Sequence, residues 1–186
     1  MKNRTLFLVL TLLLAANVSF AQSGSIDANI ELQDAPAACT FNTTGSDLDF
    51  GGIYKPTGSG TNDAVMDAVT GTLTLQGSGG GSTFGTSQVG NFSLGGTNTS
   101  TFTVDITYPA TLSSGSGTVP YSGTWAQSTA PASGFALVTG TTYNGTGPGV
   151  GPFTHYFRVG GTANGIASAT PNGVYTGTVN ISGSCN

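Results

Sequence analysis

The sequence contains little charge, and very little positive charge lies beyond the first few residues. Charged residues make up 6 % of the 186-residue chain, with eight acids against four bases. Lys55 and Arg158 are the only bases after residue 4. Nucleic acid and anionic lipid are usually bound through clustered Lys and Arg side chains. We therefore expect neither nucleic acid nor a membrane surface as a partner.

Histidine is nearly absent, which limits the available chemistry. A Ser–His–Asp triad would have to use His155, yet this residue alternates with Phe153 and Phe157, and no Gly-x-Ser-x-Gly turn occurs. One histidine and two cysteines do not supply the usual zinc ligands. No glycine-rich run ends in the Gly-Lys-Ser/Thr of a phosphate loop. The sequence predicts a protein that is not an enzyme and carries no metal or cofactor.

Two small groups leave alternatives open. Four acids could offer oxygen ligands to calcium, or could be exposed acids at strand ends and turns: Asp47, Asp49, Asp63 and Asp67. Their spacing is not that of a calcium loop. Lys55 could form an isopeptide crosslink with an asparagine beside a buried acid, but the sequence does not locate the partners.

The first 21 residues have the pattern of a secretory signal peptide. Lys2 and Arg4 precede an apolar run over residues 6–16, and Ser19 and Ala21 are small residues placed for cleavage. The run is short for a membrane-spanning helix. We expect cleavage after Ala21 and export through the periplasm to the cell surface or medium, without membrane insertion. Two bases and eight acids then leave a net charge of −6.

Cys39 and Cys185 are the only cysteines. In an exported protein an even number of cysteines indicates a disulfide. Closing so long a loop stabilises the fold by roughly 4–5 kcal/mol, less any strain. Reactive or intermolecular thiols are the alternative.

Residues 22–36 form an N-terminal extension with a strict two-residue alternation. Its apolar side chains share one face of a predicted strand: Ile26, Ala28, Ile30 and Leu32. Asp27 and Glu31 lie on the opposite face, and Pro36 ends the pattern.

The remaining chain, residues 37–186, has the pattern of one all-β domain. Strands are predicted at residues 39–41, 48–51, 72–75, 89–94, 102–108, 135–139, 153–159 and 175–181, and one helical turn at 63–69. Many short strands separated by Gly/Ser-rich turns favour a sandwich or barrel.

Short motifs at both ends carry a family resemblance. They are Leu48-Asp49-Phe50-Gly51, Val159-Gly160-Gly161-Thr162 and Pro171-x-Gly173-x-Tyr175-x-Gly177. These resemble a family of secreted bacterial proteins of unknown function, number 4402. With the alternating extension before Ala38-Cys39, the pattern is also similar to spore-coat protein U and fimbrial major subunits. The resemblance implies an immunoglobulin-like, pilin-type β-sandwich. One departure is the second cysteine, which is penultimate here and usually lies on an early strand in fimbrial subunits.

The fimbrial resemblance also implies a function. Residues 26–32 would act as a donor strand that completes a neighbouring copy, so that copies of the chain polymerise with a periplasmic chaperone and an outer-membrane usher. The alternative is that the segment is the first strand of its own complete domain. A second hypothesis is a self-contained binding module for carbohydrate or a surface. In it, Trp125 with Tyr121 and Tyr143 would stack on a sugar ring, although such side chains also fill cores.

Overall fold

The computed structural model describes residues 38–45, 47–99 and 101–186, and the regular structure of this part is entirely β-strand. The strands are β1 Ala38–Asn42, β2 Gly52–Ile53, β3 Thr61–Met66, β4 Leu73–Gly77, β5 Thr83–Phe84, β6 Gly90–Thr97, β7 Thr101–Thr107, β8 Thr111–Ser114, β9 Gly117–Ser128, β10 Ala136–Leu137, β11 Thr142–Thr146, β12 Pro152–Ala167 and β13 Asn180–Cys185. Across these ranges no helix is long and apolar enough to cross a membrane.

The larger sheet is organised around β12, the longest strand. Along one edge of β12, β6 pairs with residues 152–159 and β3 with residues 161–167, while β9 pairs with residues 156–163 on the other edge. β1 extends the sheet beyond β6 and β4 extends it beyond β3, and β8 and β10 pair with β9. Every one of these pairings is antiparallel, and residues 156–159 and 161–163 of β12 are paired on both edges.

The smaller sheet has the order β11-β7-β13. The alternating apolar residues of β7 are buried, whereas the residues between them face away from the core. On that outer face Thr103 donates a hydrogen bond to Asn144 at 2.9 Å, and Thr142 donates one to Asp105 at 2.5 Å. Cross-strand polar pairs of this kind stabilise the solvent face of a sheet.

The main core lies between the two sheets, which makes the body a β-sandwich. Phe157 of β12 stacks on Phe92 of β6 at 4.8 Å between ring centroids and on Trp125 of β9 at 5.7 Å. The buried members of this cluster are Phe92, Leu94, Phe102, Val104, Ile106, Trp125, Phe157 and Val159. Each large apolar side chain removed from water contributes about 1.5–3 kcal/mol.

A second, smaller core lies under the far half of β12, around Ala163 and Ile166. Two glycines separate it from the main core. A Cβ at Gly160 would lie 2.3 Å from the Met66 carbonyl oxygen, and Gly161 has a φ of 146°. Only glycine meets both requirements, because a side chain would clash at the first position and be strained at the second.

The structure corrects three of the local predictions. The strand predicted at residues 175–181 begins only at Asn180, where β13 starts, and residue Thr176 forms an isolated bridge with Ser113. Residues 48–51 are not a strand: only an isolated bridge between Asp49 and Gln88 forms there. Residues 63–69 were expected to form a helical turn, but residues 61–66 are β3. The strands predicted around residues 39–41, 72–75, 89–94, 102–108 and 153–159 are confirmed, and residues 135–139 contain the short β10.

The all-β fold class and the Cys39–Cys185 disulfide are confirmed. A disulfide fits a protein that leaves the reducing cytosol. The immunoglobulin-like connectivity, the signal peptide and the boundaries of the extension stay predictions. The candidate donor residues Ile26, Ala28, Ile30 and Leu32 lie outside the described residues.

Candidate functional site

A groove of about 1540 Å³ opens beside β13, and we call it the β13 groove. Sheet residues of both cores line it, including Phe92 of β6 and Val159 and Ala163 of β12. Ile181 of β13 and Val179, which directly precedes β13, line it from the side of the smaller sheet. These side chains are mostly apolar, so the groove is suited to an occupant that buries hydrophobic groups.

Two loop segments complete the lining, although more than 100 residues separate them in the chain. One is residues 47–57, between β1 and β3, and the other is residues 170–178, which lead into β13. These segments contain the Leu48–Gly51 motif and the Pro171–Gly177 motif. Val159, which begins the third motif, also lines the groove. All three motifs that carry the family resemblance therefore meet at one site.

Local interactions shape the motif at residues 48–51. The Asp49 carboxylate accepts a hydrogen bond from the Gly51 amide at 2.7 Å, and Gly51 has a φ of 65°. A side chain there would be strained, and its Cβ would lie 2.9 Å from the Thr86 carbonyl oxygen. The turn directs Phe50 into the protein, where its ring meets that of Tyr121 edge to face at 6.2 Å.

Tyr121 is a buried polar residue of the groove lining. Its hydroxyl donates a buried hydrogen bond to the Gly160 carbonyl oxygen at 2.7 Å. Burial raises the pKa of this hydroxyl above its ordinary value. The hydroxyl therefore stays protonated and fixes β9 to β12 at the two glycines.

The rim of the groove carries a cation and two exposed rings. The Lys55 ammonium group donates hydrogen bonds to the carbonyl oxygens of Ser168 and Thr170, at 3.2 and 2.5 Å, which fastens the two loop segments to each other. Tyr54 and Phe84 are 58 % and 50 % exposed, and their ring centroids lie 4.5 Å apart. Lys55 thus holds the two loop segments together, and the ring pair forms a small exposed apolar patch beside it.

The groove and the disulfide lie at opposite ends of the sandwich. Cys39 pairs with Gly96, which pairs with Phe153, so the disulfide is level with the start of β12. The groove is lined by Val159 and Ala163, further along the same strand. Phe153 and Ala163 are ten residues apart, about 33 Å along a regular strand. β1, the first strand that the structure describes, begins at the disulfide end.

Comparison with known families decides the classification. The family described as "Domain of unknown function (DUF4402)" matches residues 39–183, which include every residue that lines the groove. The chain belongs to the DUF4402 family. No curated protein and no solved structure matches this DUF4402 chain.

His155 is a core residue of the DUF4402 domain. Its side chain is 6 % exposed and lies between the rings of Phe102, Tyr143 and Phe157, at 5.2–5.3 Å between centroids. One ring nitrogen is 2.5 Å from the Gln127 side-chain oxygen. Burial lowers the pKa of the imidazole, because desolvation disfavours the charged form. His155 therefore contributes packing and one polar contact to the interior.

The hypothesis that Trp125 stacks on a sugar ring is wrong. Trp125 is 1 % exposed, and its indole N–H donates a hydrogen bond to the Gly140 carbonyl oxygen at 2.8 Å. Tyr121 is buried as well, and Tyr143 packs edge to face on Trp125. The sequence could not separate a binding platform from a core, because both use the same aromatic residue types.

Asp63, Asp67 and Lys55 form hydrogen bonds with main-chain groups. Asp67 accepts hydrogen bonds from the amides of Val69 and Thr70, and Asp63 accepts one from the Gly165 amide. In the described part of the chain no three His, Cys, Asp or Glu side chains come close enough to hold a metal ion. Lys55 contacts main-chain carbonyl oxygens, which is a different arrangement from the Lys–Asn crosslink considered from the sequence.

Proposed function

We propose that this DUF4402 protein is a structural subunit of an extracellular, fimbria-like assembly. In this assembly, residues 26–32 of one copy occupy the β13 groove of the next copy. The observation that carries the proposal is the separation of the two parts. The apolar groove lies at one end of the body, and the extension is attached at the other, where the disulfide joins β1 to β13.

The pattern of the extension matches what such a groove requires. An inserted strand directs every second side chain inward, and Ile26, Ala28, Ile30 and Leu32 are the apolar set. Burying each large aliphatic contributes about 1.5–3 kcal/mol. A slip of one residue would turn Asp27 and Glu31 into the groove, which fixes the register.

A contact between opposite ends of identical subunits propagates without closing. Each copy offers one extension and one groove, so the contact is heterologous and generates a filament. An apolar groove left open is an aggregation hazard, which supports the need for a periplasmic chaperone before assembly. The fimbrial resemblance of the sequence supplies the usher as the second expected partner.

Deletion of residues Gln22–Gln33 tests the proposal. The shortened chain keeps both cores and the disulfide, so we expect a folded monomer that forms no filaments. Electron microscopy measures filaments, and a non-reducing gel with circular dichroism checks folding. The matched control carries Asp27→Asn and Glu31→Gln, which alter only the outer face of the extension and should leave filaments intact. Filaments from the shortened chain would show that the extension is not the donor.

The exposed pair Tyr54–Phe84 supports a second candidate, a self-contained module that binds carbohydrate or a surface. The two rings are exposed aromatic groups beside the groove and replace Trp125 as the candidate platform for a sugar ring. This candidate predicts a stable monomer. Its binding to a glycan array should fall at least tenfold when both rings are changed to alanine. Binding that is unchanged in that variant would remove the candidate site.

A further inference from the structure

The backbone of β13 has a row of hydrogen-bonding groups directed away from its sheet partner. Among the described residues β13 pairs only with β7. Asn186 and Thr101 exchange two main-chain hydrogen bonds, at 2.9 and 3.2 Å. Such doubly bonded pairs recur at every second residue of an antiparallel ladder, so the even-numbered residues of β13 face β7. The N–H and C=O groups of Ile181 and Gly183 are therefore directed to the opposite edge.

The edge of β13 that faces away from β7 borders the groove. Val179 and Ile181 pack against the main core and line the groove. The edge strands β1, β4, β10 and β11 contribute no residue to the groove lining, and β2 and β5 have only two residues each. β8 contributes Leu112, but its Ser113 already exchanges two main-chain hydrogen bonds with Thr176. A strand added at β13 thus gains main-chain bonds and buried side chains together, and both are needed for strand addition.

We propose that β13 is the acceptor edge of the groove and that the donor strand lies antiparallel to it. The inference rests on the proposed function for the identity of the donor. β13 runs from the groove towards the disulfide end, because its last residue, Cys185, is bonded to Cys39. The neighbour's body lies beyond the groove end, and only residues 33–37 connect that body to Leu32 of the donor strand. The C-terminal end of the donor strand must therefore lie at the groove end. Its C-terminus then lies at the start of β13, which makes the two strands antiparallel.

The direction of the donor strand distinguishes donation by a neighbouring copy from donation by the chain's own extension. The protein's own extension would enter the groove from the disulfide end, where β1 begins, and would run parallel to β13. The neighbour's extension enters from the groove end and runs antiparallel. A measurement of strand direction therefore tests donation between copies, as well as the choice of edge.

The interior beside Gly183 selects a register. A Cβ at Gly183 would lie 2.7 Å from the Phe41 ring, so Phe41 already fills the space there. The smallest inward side chain of the donor, Ala28, fits beside this filled position. In an antiparallel strand Ile30 then lies beside Ile181 and Leu32 beside Val179, where the groove is open.

Residue-resolved hydrogen exchange tests the acceptor edge. The labelled protein is the chain from Gln22 with Ile26→Asp and Ile30→Asp, so that its own extension does not fill the groove. The probe is an unlabelled synthetic peptide of residues 22–36. We expect exchange at the Ile181 and Gly183 amides to slow at least tenfold, and exchange at Ser182 and Ser184, which already face β7, to stay the same.

A nitroxide at the peptide's N-terminus reports strand direction. Antiparallel addition places the label near the disulfide end and broadens the resonances around Cys185. Parallel addition places it near Val179 at the groove end and would overturn the proposed direction. The register is tested with the peptide variant Ala28→Leu, which should bind at least tenfold more weakly. The variant Asp27→Asn is the matched control and should bind like the original peptide.

The remaining outcomes separate this inference from the proposed function. If the peptide binds but protects the β2–β5 ribbon or another edge, β13 is not the acceptor, and the donor role of the extension survives. If the peptide does not bind and filaments persist without residues 22–33, both proposals are wrong. If unlabelled peptide protects consecutive amides of β13, including Ser182, the change is a general stiffening, and the edge assignment fails.

Discussion

Replacing Cys39 and Cys185 together by serine should destabilise the body strongly. The bond closes a loop with a sequence separation of 146, and it joins edge strands from the two sheets, β1 and β13. Without it, the unfolded chain regains the conformational freedom that the closure removes. The folded state loses little by comparison, because serine is close to cysteine in size.

The magnitude follows from the loop length. Chain-entropy theory gives an entropy of about 17 cal/mol/K for a loop of this size, or about 5 kcal/mol at 25 °C. A domain of this kind is stable by about 5–15 kcal/mol in all. The loss is therefore comparable with the whole stability at the lower end of that range.

Urea unfolding monitored by Trp125 fluorescence measures the effect, since this side chain is buried in the main core. The disulfide keeps the unfolded wild type more compact, so the double-serine variant should also show a larger dependence of the unfolding free energy on urea. A loss below about 1 kcal/mol, with the same urea dependence in both proteins, would refute the reasoning. It would mean that the closure does not constrain the unfolded chain.

Three further predictions concern the core. Lowering the pH from 7 to 5 should destabilise wild type more than His155→Gln in urea titrations: the buried imidazole resists protonation, whereas the unfolded chain takes up a proton below about pH 6.5. Equal losses would contradict this. Trp125→Ala should cost about 3–5 kcal/mol by urea unfolding followed by circular dichroism, and a loss under about 1 kcal/mol would mean that Trp125 is not core. Gly123→Ala should lower the melting temperature, because its Cβ would lie 2.0 Å from the Tyr108 ring; Gly115→Ala, with open space around it, is the control.

The strands that the sequence predicted best are those whose apolar residues alternate without interruption. In β7 the buried set is Phe102, Val104 and Ile106, and each is a strong strand former. The start of β12 shows the same pattern. The disulfide was also predictable, because an exported chain with two cysteines has a single intramolecular pairing available.

β9 was missed although it has twelve residues and a buried face. Val119, Tyr121 and Trp125 alternate, but Gly123 interrupts the pattern. The ring of Tyr108, from another part of the chain, occupies the space beside this glycine. A sequence pattern cannot show that one residue fills the gap left by another, so the strand was not recognised.

β3 was missed for a different reason. Asn62, Ala64 and Met66 form its buried face, and Asn62 looks like a surface residue in the sequence. Its amide group is satisfied by the loop after β4: it donates to the Gly80 carbonyl oxygen at 2.9 Å and accepts from the Gly79 amide at 3.1 Å. A buried polar group with both partners costs little, and those partners are invisible to a count of apolar residues.

The groove could not be predicted, because sequence spacing contains no distances between remote loops. The motifs at residues 48–51 and 171–177 carry the family resemblance, and the structure shows that both line one site. The tight turn at Gly51 and the two glycines of β12 explain why these positions need glycine. The sequence predicts the extension as a strand without identifying its partner, and the groove is the acceptor that we propose for it.

The two ends of the sandwich are closed in different ways, and this difference bears on assembly. At one end a covalent bond holds β1 against β13, so that end stays closed whether or not a neighbour is present. At the other end the closure depends on hydrogen bonds, such as those of Lys55 with Ser168 and Thr170. Such contacts rearrange at far lower cost than a disulfide. A strand that enters here therefore meets the end that can adjust, while the attachment point of the extension stays fixed.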